Sequence, residues 1–232
     1  VSIRPFLRGE DEAAWAEVLN AEYKEYESWW RGTTADEMLE LEKHPSFDLE
    51  GRFIAEFEGK PVGAIHAHVE KSDKEKNGFI KDFCVLPGFR VRGIEESLLE
   101  VAINEFKKNG VRTVRAWTGV KRTDRIQFLE TSGFKFAYRT MDMRISLANI
   151  PSNINENMEV TIRKLRTDVR ADIEALNWLA NECFKGNPIV APKTVEETRQ
   201  SLLNNSVFKQ QEFFFAVLDK RNVGYIGLGI DE

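Results

Sequence analysis

A chain of 232 residues, 42% hydrophobic and 31% charged, is long enough to bury a core and suits one large domain or two small ones. Its net charge of −5 argues against nonspecific nucleic-acid binding, which wants a strong positive field, and no zinc-finger, Walker or RNP-like pattern is present. No run is long and apolar enough to cross a membrane, and VSIRPFLRG at the start lacks a signal-peptide apolar segment, so a cytoplasmic protein is expected.

Ser2–Leu7 predicts an opening strand anchored by Ile3 and Phe6. Glu10, Asp11 and Glu12 then introduce a helix carrying Ala13, Ala14, Trp15, Val18, Leu19 and Tyr23, the acids complementing the dipole at its start. Tyr23–Trp30 is unusually aromatic, which suits either a substrate groove or a helix end packed on a sheet. Thr33 and Thr34 are cap residues for a second helix, TADEMLELEKH. A hairpin follows: Arg52–Glu58 alternates through Phe53, Ala55 and Phe57, Glu58–Pro61 turns, and Val62–Val69 returns. His66 and His68 share a face of the return strand, but two histidines do not make a zinc site, and no metal is expected.

After the polar loop Lys71–Gly78 comes the stretch that organises the chain. Phe79, Ile80, Phe83, Cys84 and Val85 make a short apolar run suited to a sheet interior, punctuated by Pro87 and Gly88. From Ile94 the apolar positions Leu98, Leu99, Ala102 and Phe106 recur at helical spacing. Between strand and helix lie Arg90, Val91, Arg92 and Gly93. Free N–H groups at a helix start, a glycine permitting close approach and two cationic side chains suit a phosphate-bearing ligand; an ordinary turn with surface arginines is the plainer alternative.

Asn109-Gly110 ends that helix, Val111–Trp117 predicts a strand, and a helix runs from about Thr123 through Phe128 and Leu129. Ser132-Gly133-Phe134 leads to a final strand pair around Lys135–Ile145. The order is that of a mixed α/β domain over residues 1–146, followed by a linker over 147–158 rich in Asn and Ser. Residues 159–232 repeat the beginning: Val160–Leu165 echoes Ser2–Leu7, an acidic alanine-bearing helix follows each, and both hairpins carry a Val-Gly step, Val62-Gly63 and Val223-Gly224. This second unit amounts to about half a domain, and its apolar hairpin is expected to pack on the first unit or on another copy of the chain, a route to homo-oligomers. Cys84 and Cys183 lie in apolar surroundings and are expected to be buried free thiols.

Asp82–Pro87 followed by Arg90-Val91-Arg92-Gly93-Ile94 resembles the acyl-CoA-binding signature of the GNAT acetyltransferase superfamily, and the resemblance extends over residues 1–146 to the phrase Gln127–Phe134. Residues 159–232 resemble the N-terminal half of the same fold, so the chain is similar to a tandem GNAT protein with an incomplete second domain. The resemblance implies a GNAT-like mixed sheet flanked by helices, with acetyl-CoA as co-substrate. It implies a splayed strand at Phe83, Cys84, Val85 and Leu86 whose backbone pairs with the pantetheine arm, and N–H groups from Arg90 through Val91, Arg92, Gly93 and Ile94 to Glu95 that cradle the pyrophosphate. The activity implied is direct transfer of an acetyl group to a primary amine of a small molecule or peptide. Asp82 or Glu70 is then a candidate general base, and Tyr138 a candidate donor to the leaving thiolate. Two positions depart from the family pattern: Glu95 replaces a small residue beside the phosphates, and Leu129 stands where a tyrosine is common. They motivate the alternative of a non-catalytic or degenerate acyl-CoA-binding domain, with activity absent or residing in a fuller second domain. Cys84 has no partner base in its sequence neighbourhood and reads as a small core residue.

Overall fold

The computed structural model describes residues 1–27, 30–43, 50–69, 77–90, 92–141, 143, 145–149, 159–187, 190, 192–203 and 210–230. It divides into two compact units, Val1–Phe134 and Lys135–Glu232.

In the first unit, β1 (Ser2–Pro5), β2 (Arg52–Phe57), β3 (Lys60–Val69), β4 (Asn77–Val85) and β5 (Thr113–Ala116) form one sheet in that order. The pairs are antiparallel except β4 with β5, which is parallel. The turn between β2 and β3 is the two-residue Glu58-Gly59, both at positive φ, the geometry that matches the twist of the strands it joins. Alternation along the strands divides the core in two. On one face, α1 (Glu12–Tyr26) and α2 (Ala35–Glu42) bury Trp15, Val18, Leu19 and Met38 against Ile54, Ala64 and Cys84. On the other, α3 (Ile94–Lys108) lays Ile94, Leu98, Leu99, Ala102 and Phe106 over Ala55, Ile65, Ala67 and Ile80. A further helix of this unit is α4 (Thr123–Thr131).

The second unit holds β6 (Thr161–Lys164), α5 (Arg170–Cys183), α6 (Val195–Leu203), β7 (Gln210–Leu218) and β8 (Arg221–Ile230), with a three-stranded sheet in the order β6-β7-β8. Its strand pairing repeats that of the first unit. Ile3 faces Ala55 and Ala55 faces Gly63; likewise Ile162 faces Ala216 and Ala216 faces Gly224. The register slips at Ala55/Glu56 and again at Ala216/Val217. Side-chain devices recur as well. Arg4 forks onto Asp11, which also accepts from the Leu7 amide; Arg163 forks onto Asp172, which accepts from the Arg166 amide. Thr34 and Glu37 form a capping box on α2, and Thr194 and Glu197 make the same reciprocal bonds at α6. Asn20 clamps both main-chain polar groups of Thr33, and Asn181 those of Lys193.

The units differ in what covers the sheet. Leu165, Leu176, Leu179 and Phe215 form the core on the helix side of the second unit. The opposite face leaves Ile162, Ile226 and Leu228 exposed, where the equivalent face of the first unit lies under α3.

Two expectations need correction. Residues 135–141, 143 and 145 carry no helix or strand, and Phe136, Met141, Met143 and Ile145 are exposed. The turn at Ser132-Gly133-Phe134 that suggested a strand pair there supplies no ladder partner, and β5, only four residues long, offers a short edge. Cys183 is exposed at the end of α5, whereas Cys84 is buried as expected; both are free thiols. No described helix is long and apolar enough to cross a membrane.

Candidate functional site

The parallel pairing of β4 with β5 runs from Asn77–Thr113 to Ile80–Ala116. There β5 ends, while β4 continues to Val85. At the same place β4 bulges against β3: the register shifts between Ala64 and His66, and Asp82 takes a positive φ of 49°. The result is an opening beside β4 with Asp82, Phe83 and Cys84 on its wall. A cavity of roughly 270 Å³ occupies it, walled also by Tyr23, Tyr26 and Trp117.

Asp82 lies in this cavity, and burial pushes its carboxyl above the usual range against the pull of Arg52 and Lys81. Burial and the nearby Asp82 push the Cys84 thiol upward too, so it stays protonated and is no nucleophile. Burial likewise raises Tyr23, whose hydroxyl keeps its proton.

Charge in the cavity is organised by Glu22, which sits on the same stripe of α1 as Trp15, Val18 and Leu19. A carboxylate on an apolar stripe needs cationic partners. Arg122, at the start of α4, pairs closely with Glu22, while Arg90 reaches it at 3.1 Å and Arg125 at 3.5 Å. Arg122 also forks onto Asp124, holding that carboxyl down at about 2. The Arg90 guanidinium is bound further to Glu25 at 2.8 Å, to the Tyr26 hydroxyl and to the Val85 carbonyl. Arg125 donates to the Phe83 carbonyl, lies 4.2 Å over the Phe83 ring and pairs with Glu95 at 3.0 Å.

The start of α3 is built differently. Gly93 is its N-cap in the left-handed conformation, φ 76°, with no side chain capping the first turn and open space around the position a Cβ would take. Arg92 is exposed and rests against the rings of Phe57 and Phe89. Ile94 is buried in the core beneath α3, and Glu95 turns toward Arg125. Phe83 and Val85 are buried with Ile94 in that same core.

Asp82, Phe83 and Cys84 thus share one cavity. Glu70 and Val91 lie outside the described residues, and Tyr138 falls in the second unit. The aromatic segment that begins in the last turn of α1 does contribute Tyr23 and Tyr26 to the wall. Sequence reasoning missed Glu22 as the hub and Glu27, Trp117, Thr118 and Gly119 as lining. The available signal was a glutamate on the apolar stripe of α1 and an arginine four residues before Leu129 on the same face of α4.

Known proteins resemble this chain over the same region. A solved aminoglycoside acetyltransferase from an uncultured soil metagenomic sample, in complex with sisomicin, superposes with a TM-score of 0.50 at 15% identity, covering 63% of this chain and 95% of that one. An uncharacterised N-acetyltransferase of Methanocaldococcus jannaschii is 36% identical over 91 residues, 38% of this chain and 40% of the relative. A mycothiol acetyltransferase of Cellulomonas flavigena is 28% identical over 141 residues, 58% of this chain and 40% of the relative. The chain thus spans less than half the length of these curated relatives. The model of the acetyltransferase (GNAT) family matches residues 15–134, from the buried Trp15 of α1 through the opening beside β4 to the end of α4. With that match over more than half its length, the chain belongs to the acetyltransferase (GNAT) family.

Proposed function

We propose that the first unit transfers an acetyl group from acetyl-CoA to a primary amine of a small molecule or peptide, with Asp82 as the general base. The observation that carries this reading is Asp82 itself: a carboxyl raised by burial, presented by a bulge into the cavity where β4 outruns β5.

Acetyl-CoA supplies the activated acyl group as a thioester. The residues present suit it. The uncapped start of α3 offers backbone N–H groups at Gly93, Ile94 and Glu95, and the clear space at Gly93 lets a pyrophosphate approach them. Arg92 adds an exposed cation beside that turn. The carboxylate of Glu95, which would otherwise repel phosphate, is paired with Arg125. The edge of β4 that outruns β5, at Phe83–Val85, would hold the pantetheine arm. Asp82 accepts the proton of the incoming ammonium, and the walls around it limit water. Glu27 and Asp82 beside the rings of Tyr23 and Trp117 suit a cationic acceptor, while Glu22 is already neutralised by Arg90, Arg122 and Arg125. The mycothiol acetyltransferases among the relatives favour a small molecule over a peptide. Glu70 as an alternative base and Tyr138 as a donor to the leaving thiolate enter on sequence grounds alone. Homo-oligomers through the apolar face of the second unit belong to the same proposal, as does a cytoplasmic location.

A second reading, a domain that holds acyl-CoA without using it, is favoured by one observation. Arg90 and the Phe83 carbonyl, both expected to meet CoA, are engaged by the protein's own Glu22, Glu25 and Arg125. Thermal unfolding with and without acetyl-CoA, paired with thiol release across an amine panel, separates the two. Stabilisation with amine-dependent release is the expected result; stabilisation without release from any amine supports the second reading, and no stabilisation removes both.

A further inference from the structure

We propose that Arg125 stabilises the departing thiolate of acetyl-CoA; this rests on the acetyl-transfer reading above. Transfer forms a bond between the acceptor nitrogen and the acyl carbon and breaks the carbon–sulfur bond. The acceptor attacks as the neutral amine, its ammonium proton already passed through Asp82 to bulk water; the nitrogen's second proton then goes to Asp82, and the electron pair stays on sulfur. In a partly desolvated opening that new negative charge needs a positive partner or a donor.

Leu129 has neither and is packed in the core. One helical turn earlier, on the same face of α4, stands Arg125, only 4% exposed and lining the cavity together with Asp82, Phe83 and Cys84. It is fixed from three elements: by the Phe83 carbonyl of β4, by Glu95 of α3 and by Glu22 of α1. Its Nε is nevertheless buried without a hydrogen-bond partner among the described residues. A buried donor left open costs free energy that a charged acceptor would recover. The Phe83 carbonyl lies on the strand edge proposed to hold the pantetheine arm, so an arm seated there brings its sulfur end to the same guanidinium.

The charged groups around Arg125 are Glu22, Glu95, Arg122 and Asp124, with Asp82 and Cys84 across the cavity. A guanidinium does not give up its proton, so Arg125 works by charge and hydrogen bonding, and the thiolate takes its proton from water after departure. A merely structural role, capping the Phe83 carbonyl, would leave the chemistry of a bound thiol untouched.

The test is an ultraviolet titration of the thiol of CoA bound to the full chain. In the unaltered protein the bound thiol should titrate about one pH unit or more below its free value. Arg125→Lys should keep part of that shift, and Arg125→Met should abolish it, with folding of both checked by circular dichroism. A bound thiol that titrates at its free value in the unaltered protein overturns the inference, even should Arg125→Met fail to fold. Equal titration in the unaltered protein and in folded Arg125→Met overturns it too. CoA bound with an unshifted thiol leaves the acetyl-transfer reading standing, whereas failure of CoA to bind at all removes both.

Discussion

Ile65 and Ile226 occupy the same place in their hairpins, opposite Phe53 and Phe214, yet Ile65 is fully buried and Ile226 is 55% exposed. The two hairpins share register, the position of the bulge and a two-residue turn with both residues at positive φ, Glu58-Gly59 in one and Asp219-Lys220 in the other. The pairing is therefore specified within the hairpin, by turn geometry and by the helix-side face, and does not need a helix over the second face. What the first unit adds is everything after β3: the bulged β4, the α3 start and the arginines of α4. Of those, the bulged β4 and the arginines of α4 wall the cavity together with the end of α1, and the second unit has no counterpart of β4, α3 or α4 among its described residues.

The sharpest way to break this comparison is at Asp82. Asp82→Asn keeps a residue that tolerates positive φ, so the bulge should survive. Acetyl transfer should nevertheless fall by about 10²–10⁴-fold with acetyl-CoA binding retained, read by steady-state rates and calorimetry. In the unaltered protein, transfer with Asp82 as the proposed base should rise with pH through the elevated Asp82 pKa, because a base works only when deprotonated. An Asp82→Asn variant with unchanged rates would place the proposed chemistry elsewhere.

The matched isoleucines come next. Ile65→Ala should cost about 2–5 kcal/mol in urea unfolding, the range for emptying a packed site. In dilute monomer Ile226→Ala should stay within about 0.5 kcal/mol, as for an exposed position. Comparable losses at both would mean that something covers the second face in solution.

The smallest effect is at the paired glycines. A Cβ at Gly63 would meet the Cys84 carbonyl and a Leu98 methyl, each at 3.1 Å, whereas at Gly224 the nearest neighbour is the Ala216 Cβ at 3.7 Å. Gly63→Ala should therefore destabilise by about 1–3 kcal/mol through overpacking against backbone. Gly224→Ala should be neutral or stabilising by about 0.5 kcal/mol, because it narrows the unfolded ensemble. Parallel thermal melts check both, and a costly Gly224→Ala would point to a close-packed neighbour on that face.

Much of this architecture is written in local pattern. Alternation in Arg52–Phe57 and helical spacing from Ile94 to Phe106 fix those elements because burial period and backbone period agree. The described residues between 135 and 145 show the limit: a turn signal can introduce a strand, but the ladder partner is a tertiary fact. The candidate site divides in the same way. Asp82, Phe83 and Cys84 are neighbours in sequence, so their shared environment was visible in the chain. The partners of Arg90 were not, since Glu22 and Glu25 come from α1, far upstream. Nor could spacing reveal that Glu95 turns from the expected phosphates toward Arg125.

The two asparagine clamps carry a consequence for how such a chain can change. On these partners each asparagine grips main-chain groups alone, Asn20 the amide and carbonyl of Thr33 and Asn181 those of Lys193. A grip on the main chain is blind to the side chain, so threonine in one unit and lysine in the other leave it intact. The route of the connection after each helix is thereby decoupled from its spelling, and these connections are free to drift while the path they take is inherited.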